Sequence, residues 1–334
     1  MKVREEIQMN IELIEKCNLL VKNFNTIRET LKWGNDLMKL AGSSVYVGLG
    51  EEADSEKLKE CEKILKEKEG IFSAYRGNAK MPLLCKMAVS EDPEKYFEEI
   101  HTIVEHMKNV KWIDKAYKIL AAITIHDHTE QYRYQDAVAK MLDLYQGMKA
   151  NHPWLTFGED IPFAAMLAVS DLDANALLTE IEACYQVLKE YFHDKNAVQS
   201  LSHVLAVDKT EINEKCHKVE QIWALLKDKK HKYGTGYELA VLGTLCMLDM
   251  PVDTIVGEII EADEYLKPHK GFGDFYLGQK TRMMYAALMV MDAHIPPASL
   301  SHESLLDSML AIVIAIEICM IVIVSTVCAT ASTN

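Results

Sequence analysis

The apolar stretch PFAAMLAVSD, residues 162–171, is one of six similar stretches in this chain. Their recurrence indicates a fold built from repeated units. Each is an apolar run that ends in an acidic residue, and turn residues and an amphipathic segment follow it. The others are PLLCKMAVSED (82–92), KILAAITIHD (118–127), SLSHVLAVD (200–208), ELAVLGTLCMLD (238–249) and YAALMVMD (285–292). Their closing acids are 35 to 44 residues apart, a length that two helices and their turns fill.

The segments between these stretches are amphipathic, with apolar residues at steps of three and four, as at Leu178, Ile181, Tyr185 and Leu188. The recurring stretches are apolar nearly all round and therefore need cover on both sides, which stacked neighbours would provide. The first forty residues read as one long amphipathic helix, and residues 43–52 break its period. Strand signals are nearly absent.

We therefore predict an all-α fold: about six antiparallel helix pairs in an α-solenoid or α/α-toroid, after a long N-terminal helix. Residues 1–302 form this helical-repeat domain. Residues 303–334 form an apolar C-terminal helix that packs on the array or associates with a membrane.

The closing acids favour a structural role. An aspartate between two helices can accept hydrogen bonds from the next helix's first N–H groups, a cap worth about 0.5 to 2 kcal/mol. Pro93 and Pro251 suit the first turn of a helix. We therefore predict that Asp92, Asp127, Asp171, Asp208, Asp249 and Asp292 cap the helices that follow them.

Composition narrows the class of protein. The 334 residues carry a net charge of −14, which disfavours nucleic-acid binding, and the cluster from Lys227 to Lys232 reads as a solvated helix end. The eight cysteines are scattered without a C-x-x-C pair, as in proteins of a reducing compartment. No signal peptide is visible in MKVREEIQMN, so we expect a cytoplasmic protein.

The segment IHDHTE, residues 125–130, is the strongest sign of catalysis. A His-Asp pair on a helix is the centre of the metal-dependent phosphohydrolases known by that dipeptide, and His126 and Asp127 could form it. Such a site also needs an upstream His, for which His101 or His106 is available, and a downstream Asp such as Asp143. Because Asp127 occupies the turn position of the other closing acids, the capping interpretation is favoured and the hydrolase remains the alternative.

Loops rich in glycine, aromatic and charged residues precede the recurring stretches: AYRGNAKMP, WLTFGEDIP, KYGTGYEL and FYLGQKTRMM. In a helical array they fall on one edge and could line a common groove. The charges that could bind a ligand there are Arg76, Lys80, Glu159, Asp160, Glu238 and Arg282. Alternatively, the acids cap helices and the aromatic residues fill the joints between repeats. No nucleotide, nucleophile-elbow or zinc-helix motif occurs, so we expect no cofactor and lean towards a non-enzyme.

Residues 309–328, MLAIVIAIEICMIVIVSTVC, carry one charge, Glu317, and are long enough to span a bilayer. The last basic residue is Arg282, so the cationic flank that usually orients a membrane helix is missing. We expect this helix to cover the array or a second copy, which makes a homodimer possible; a membrane-tethered adaptor is the alternative.

The segments RGNAKMPLLCKMAVSEDPEKY (76–96), HPWLTFGEDIPFAAMLAVSD (152–171) and NAVQSLSHVLAVDK (196–209) resemble the bacterial domain-of-unknown-function family numbered four thousand and three. The resemblance implies a helical protein without an assigned activity, of a family found mostly in Gram-positive bacteria. Because helical arrays offer large surfaces, the leading functional hypothesis is a non-catalytic binding or scaffold protein for a protein or peptide partner.

Overall fold

The computed structural model describes residues 10–68, 79–236 and 238–295, and all regular secondary structure in these ranges is helical. This confirms the all-α class. The α-helices are α1 (Ile11–Thr30), α2 (Asp36–Leu49), α3 (Ser55–Lys68), α4 (Lys80–Val89), α5 (Pro93–His106), α6 (Lys115–His128), α7 (Tyr134–Asn151), α8 (Ile161–Val169), α9 (Ala174–Leu188), α10 (Lys195–Leu205), α11 (Ile212–Asp228), α12 (Leu239–Leu245), α13 (Val252–Leu266) and α14 (Gln279–His294).

Two layers of helices alternate along the chain. The even-numbered helices from α4 to α14 contain the six recurring apolar stretches, and α8 and α14 are buried over almost their whole length. The odd-numbered helices bury one stripe and expose the other face. Each even helix contacts the next even helix, each odd helix contacts the next odd one, and α1 contacts both α13 and α14. The contacts therefore lead from the last described helix back to the first.

Side chains from both ends of the described chain meet where α1 contacts α13 and α14. The Phe24 and Phe272 rings pack edge to face with centroids 5.4 Å apart, and the Tyr265 hydroxyl donates to Asn18 Oδ1 at 2.8 Å. Gly271 has φ +96°, and a Cβ there would lie 2.6 Å from the Phe24 ring. A side chain at this position would therefore strain the backbone and push the two ends apart.

The N-terminal region differs from its prediction. The described part of this region, residues 10–40, forms two helices and not one, because α1 ends at Thr30 and α2 begins at Asp36, with Asn35 as its N-cap. Residues 43–49, predicted as a break, belong to α2. Residues 43–47 are buried, and a Cβ on the preceding Gly42 would lie 2.9 Å from Cys85 Sγ of α4. Close packing against α4 thus overrides the weak helix propensity of this glycine and serine run.

The helix ends define two edges of the molecule. The loop edge comprises the described loops that precede even helices, residues 31–35, 107–114, 152–160, 189–194, 229–236 and 267–278. The turn edge comprises the turns that follow even helices, residues 90–92, 129–133, 170–173, 206–211 and 246–251. Contacts join neighbouring parts of the loop edge: a Cβ on Gly158, for example, would lie 2.8 Å from the Tyr117 ring at the start of α6.

Lysines from odd helices neutralise the carboxyl ends of even helices at the turn edge. Lys140 Nζ donates to Ser170 O at 2.6 Å, and Lys218 Nζ donates to Leu248 O at 2.6 Å. Lys215 is buried and donates to Leu205 O, Asp208 O and Glu180 Oε1 at 2.6 to 2.8 Å. The last carbonyls of a helix have no hydrogen-bond donor within the helix. A lysine ammonium there donates to these carbonyls and also interacts favourably with the negative end of the helix dipole.

The capping prediction is correct for Asp92, whose side chain accepts from Lys95 N at 3.0 Å. It is wrong for Asp171 and Asp208, which lie between helices as expected but leave the capping to residues nearer the next helix. Those caps are Asp173 and Glu211. The turns are two or three residues longer than the pattern implied, so the second acid in each reaches the helix start.

The prediction is also wrong for the other three acids. Asp249 lies in a turn, but the N-cap of α13 is Pro251, which makes no side-chain cap. Asp127 and Asp292 lie inside the last turns of α6 and α14. Both helices continue past the apolar run, which carries these carboxylates into partly or fully buried positions.

No helix among residues 10–68, 79–236 and 238–295 combines the length and apolarity needed to cross a membrane. The predicted C-terminal helix, residues 303–334 with the apolar segment 309–328, lies outside the described residues.

Candidate functional site

The end of α6 carries a dense network of charged side chains. Asp127 accepts a hydrogen bond from the Tyr96 hydroxyl at 3.0 Å, and its other oxygen pairs with Lys86 Nζ at 2.6 Å. His126 contacts two carboxylates, with Nδ1 3.0 Å from Asp127 Oδ1 and Nε2 2.8 Å from Glu99 Oε2. Helices α4, α5 and α6 thus meet through two cations and two anions.

The surroundings set the protonation states of this network. Burial alone would lower the pKa of His126, but its hydrogen bonds with Asp127 and Glu99 raise that pKa above its ordinary value. Burial would raise the pKa of Asp127, yet Lys86 and His126 bring it well below its usual range. His128 is different: burial lowers its pKa to about 4, so it stays neutral. The network therefore balances its own charge.

This geometry does not favour the metal-dependent hydrolase. A metal-ligating imidazole needs a free ring nitrogen, and carboxylates engage both nitrogens of His126. The proposed partners His101, His106 and Asp143 are exposed on the outer helices α5 and α7. Within the described part of the chain, no three His, Cys, Asp or Glu side chains are grouped as a metal site requires.

If the network around Asp127 is structural, Tyr96→Phe should have a modest effect on stability. The substitution removes the hydroxyl that donates to Asp127 and keeps the ring, so we expect the free energy of unfolding to fall by about 1 kcal/mol. Urea denaturation measures it, with exposed Tyr132→Phe as the control of the same chemistry. An unchanged urea midpoint for Tyr96→Phe would show that this hydrogen bond adds nothing.

The charges predicted for the loop edge contact the protein itself. Lys80 Nζ lies 3.2 Å from Glu62 Oε1 and 3.6 Å from the centre of the Trp33 ring. Glu238 accepts from Gly236 N at 3.1 Å, and its carbonyl accepts from the Tyr233 hydroxyl. These side chains fix the loops to the helices that follow them. Arg76 lies outside the described residues.

Arg282 is the largest of these anchors and is fully buried in the first turn of α14. Its guanidinium donates to Asp263 Oδ1 at 2.7 Å, to Asp274 Oδ1 at 2.7 Å and to Phe272 O at 3.0 Å. One side chain thereby attaches the long loop 267–278 to both α13 and α14.

A second set of buried polar groups anchors the loop 152–160. Thr156 Oγ1 donates to Met148 O at 3.2 Å and accepts from Gln199 Nε2 at 2.9 Å. Asp160 Oδ2 accepts from Phe157 N at 2.9 Å, which closes the loop onto α8, and Glu159 lies half-buried beside it. The Thr-Phe-Gly-Glu-Asp run thus builds a rigid loop.

His203, from α10, lies beneath this loop with no exposed surface, and its Nδ1 is 3.8 Å from Asp160 Oδ1, too far for a hydrogen bond. Burial raises the pKa of Asp160 to about 7 and lowers that of His203 to about 3. Neither ring nitrogen has a hydrogen-bond partner among the described residues. The sequence assigned no role to His203 or Gln199, because the Ser202-His203 pair has no spacing typical of a catalytic base and Gln199 directly precedes an ordinary apolar stretch.

The loop edge exposes large aromatic side chains. The exposed fractions are 86% for Trp154, 93% for Phe275, 71% for Tyr276, 54% for Trp112 and 45% for Phe157. All five lie in loops that precede even helices, and the anchors described above hold those of loops 152–160 and 267–278. In the loops named from their composition, Trp154, Phe157, Phe275 and Tyr276 therefore do not fill joints between repeats, whereas Tyr233 is buried. Trp112 stacks on Tyr145 of α7, with ring centroids 4.7 Å apart.

Comparison with known proteins gives a family without an assigned function. The model of a protein family of unknown function, DUF4003, matches residues 23–319. YeaA, an uncharacterised protein of Bacillus subtilis (strain 168), is 23% identical over 202 residues, 59% of this chain and 61% of that protein. The match thus spans less than two thirds of that relative's length. No solved structure matches. The family match confirms the resemblance seen in the sequence: this chain belongs to the DUF4003 family.

Proposed function

We propose that this protein is a non-catalytic binding or scaffold protein, built as a closed α/α-toroid of helix pairs, and that its loop edge docks a partner protein. The exposure of Trp112, Trp154 and Phe275, with their neighbours Phe157 and Tyr276, is the observation that carries the proposal. Soluble proteins rarely expose several large aromatic rings on one edge, and such rings are enriched where proteins bind each other.

The anchors make this surface suitable for binding. Ordering a loop on association costs free energy, and a loop that is already fixed avoids that cost. Thr156 and Gln199 fix the loop that displays Trp154, and Arg282 fixes the loop that displays Phe275. The charges expected to contact a ligand would then act indirectly, by holding the aromatic side chains in place.

Site-specific photo-crosslinking in cells tests the docking edge. A benzophenone amino acid is placed at Trp154 or Phe275 and, as the matched control, at Tyr132, which is 83% exposed on the turn edge. We expect partner adducts from both loop-edge positions and none from Tyr132. Serine at Trp112 should weaken the adducts formed at position 154, as removal of an interface aromatic commonly costs about 2 kcal/mol. Equal adducts from both edges, or none from the loop edge, would contradict the proposal.

A further inference from the structure

The two edges of the molecule differ in charge. Acidic side chains are exposed in every turn of the turn edge, where Arg133 and Lys209 are the basic residues. Examples of these acids are Glu91, Glu130, Asp171, Asp173, Glu211 and Asp249. Their placement beside the first turns of odd helices suits the helix dipole. A strongly acidic protein thus concentrates negative charge away from its exposed aromatic rings.

Several acids of the loop edge are engaged within the protein, as Asp173 and Glu211 are at the turn edge. Asp114 accepts from Ala116 N at 2.8 Å and Asp194 accepts from Asn196 N at 3.0 Å, so both cap helices. Asp274 pairs with Arg282, and Glu238 and Asp160 accept backbone N–H groups. Among these five carboxylates, Asp274 also pairs with an exposed lysine of this surface, Lys267, at 3.4 Å.

Six other exposed lysines of the loop edge lack a carboxylate partner of this kind. Within the described ranges, no carboxylate forms an ion pair with Lys32, Lys108, Lys111, Lys229, Lys232 or Lys270. Lys111 is the neighbour of Trp112, and Lys270 lies in the same loop as Phe275. Two of the rings proposed to dock a partner, Trp112 and Phe275, therefore share a loop with a lysine that has no ion-pair partner.

We infer that the occupant of the loop edge is an acidic polypeptide segment with aromatic or aliphatic side chains; this rests on the docking role proposed above. Its carboxylates would meet the free lysines while its apolar side chains pack on Trp112, Trp154 and Phe275. Charge complementarity of this kind selects partners and speeds their encounter. A nucleic acid is disfavoured because the lysines are spread over separate loops and the whole chain carries a charge of −14.

Selection from a displayed library of random peptides tests this inference on the full-length protein. We expect the enriched peptides to be rich in Asp and Glu together with aromatic or aliphatic residues. One enriched peptide, synthesised with a fluorescent label, then serves as the probe in anisotropy titrations. Lys111→Glu and Lys270→Glu should each weaken its affinity by about tenfold, and added salt should weaken it further. Lys209→Glu, an exposed lysine of the turn edge, is the matched control and should leave affinity unchanged.

The outcomes separate this inference from the docking role. Enrichment of neutral or basic peptides whose binding still needs Trp154 would overturn the acidic partner and leave the docking edge intact. If peptide binding depends neither on the lysines nor on Trp154, both the acidic partner and the docking role of the loop edge are wrong. The inference also fails if labelled oligothymidylate binds more tightly than the peptide, or if sedimentation shows that a second copy occupies the edge.

Discussion

Replacement of Arg282 by methionine is expected to lower the free energy of unfolding by about 3 to 5 kcal/mol, because it strands a buried charge. Asp263 is 2% exposed and receives the Arg282 Nε–H at 2.7 Å. Without the guanidinium this buried carboxylate would lose its hydrogen-bonded counter-ion, and the nearest basic group left would be His231, whose Nδ1 lies 4.0 Å from Asp263 Oδ2. The loop 267–278 would also lose the donor that binds Phe272 O.

Urea denaturation followed by circular dichroism measures the effect, with Lys280→Met as the control. Lys280 lies in the same turn of α14 but is exposed, so its loss should change stability by less than about 0.5 kcal/mol. The double variant Arg282→Met, Asp263→Leu should recover part of the loss, since it removes the stranded charge. A destabilisation by Arg282→Met no larger than that of the control would mean that the ion pair does not hold the loop.

The second large effect concerns the pH dependence of stability through Asp160 and His203. The Asp160 pKa is raised to about 7 when folded, so its contribution to stability is greatest in acid and is lost between about pH 4 and pH 7. The His203 pKa is lowered to about 3, so its contribution is present above about pH 6.5 and is lost as the pH falls. Between about pH 4 and pH 6.5 the two slopes oppose each other, since folding moves one proton from histidine to aspartate.

Single substitutions should expose the two slopes. Relative to the unsubstituted protein, Asp160→Asn should become steadily more stable as the pH rises from about 4 to about 7, by up to about 1.4 kcal/mol per pH unit. His203→Gln should show a relative change of opposite sign and similar size. Asparagine keeps an oxygen that can accept from Phe157 N, so the loop closure survives in the first variant.

Urea midpoints across this pH range, taken as variant minus unsubstituted protein, provide the measurement. The subtraction removes contributions common to all the proteins, including that of Asp292, whose pKa burial raises to about 7. Slopes of the reverse sign would contradict a raised Asp160 pKa and a lowered His203 pKa in the folded protein. Parallel curves for all three proteins would show that neither group changes its pKa on folding.

How far the sequence predicts the site depends on how far apart the contacting residues are. His126 and Asp127 are adjacent, so the motif revealed them, but their partners Lys86 and Glu99 lie on other helices. Without those partners the pair looked like half of a metal site. With them it is a closed network of charges, a distinction that no local spacing carries.

The loop edge shows the same limit. Glycine-rich and aromatic composition predicted correctly that residues 154–160, 232–236 and 275–278 lie before an even helix, because those residues disfavour helix continuation. The ends of the predicted loops, from Lys80, Ile161 and Gln279, belong to α4, α8 and α14. Composition did not reveal that Asp160 and Arg282 are buried while Trp154 and Phe275 are exposed. Which side chains of a loop are buried and which are exposed depends on how that loop folds back onto the helices beneath it.

Residue spacing within single helices is enough to predict that this protein is helical and that apolar helices alternate with amphipathic ones. Asp92 as a cap and the family resemblance are equally local. Three features are visible only in the tertiary structure. Helix α1 contacts α13 and α14, lysines bind the carbonyls at the ends of even helices, and the aromatic loops lie on one edge. These features join residues far apart in the chain, and their free energy arises only when the helices pack.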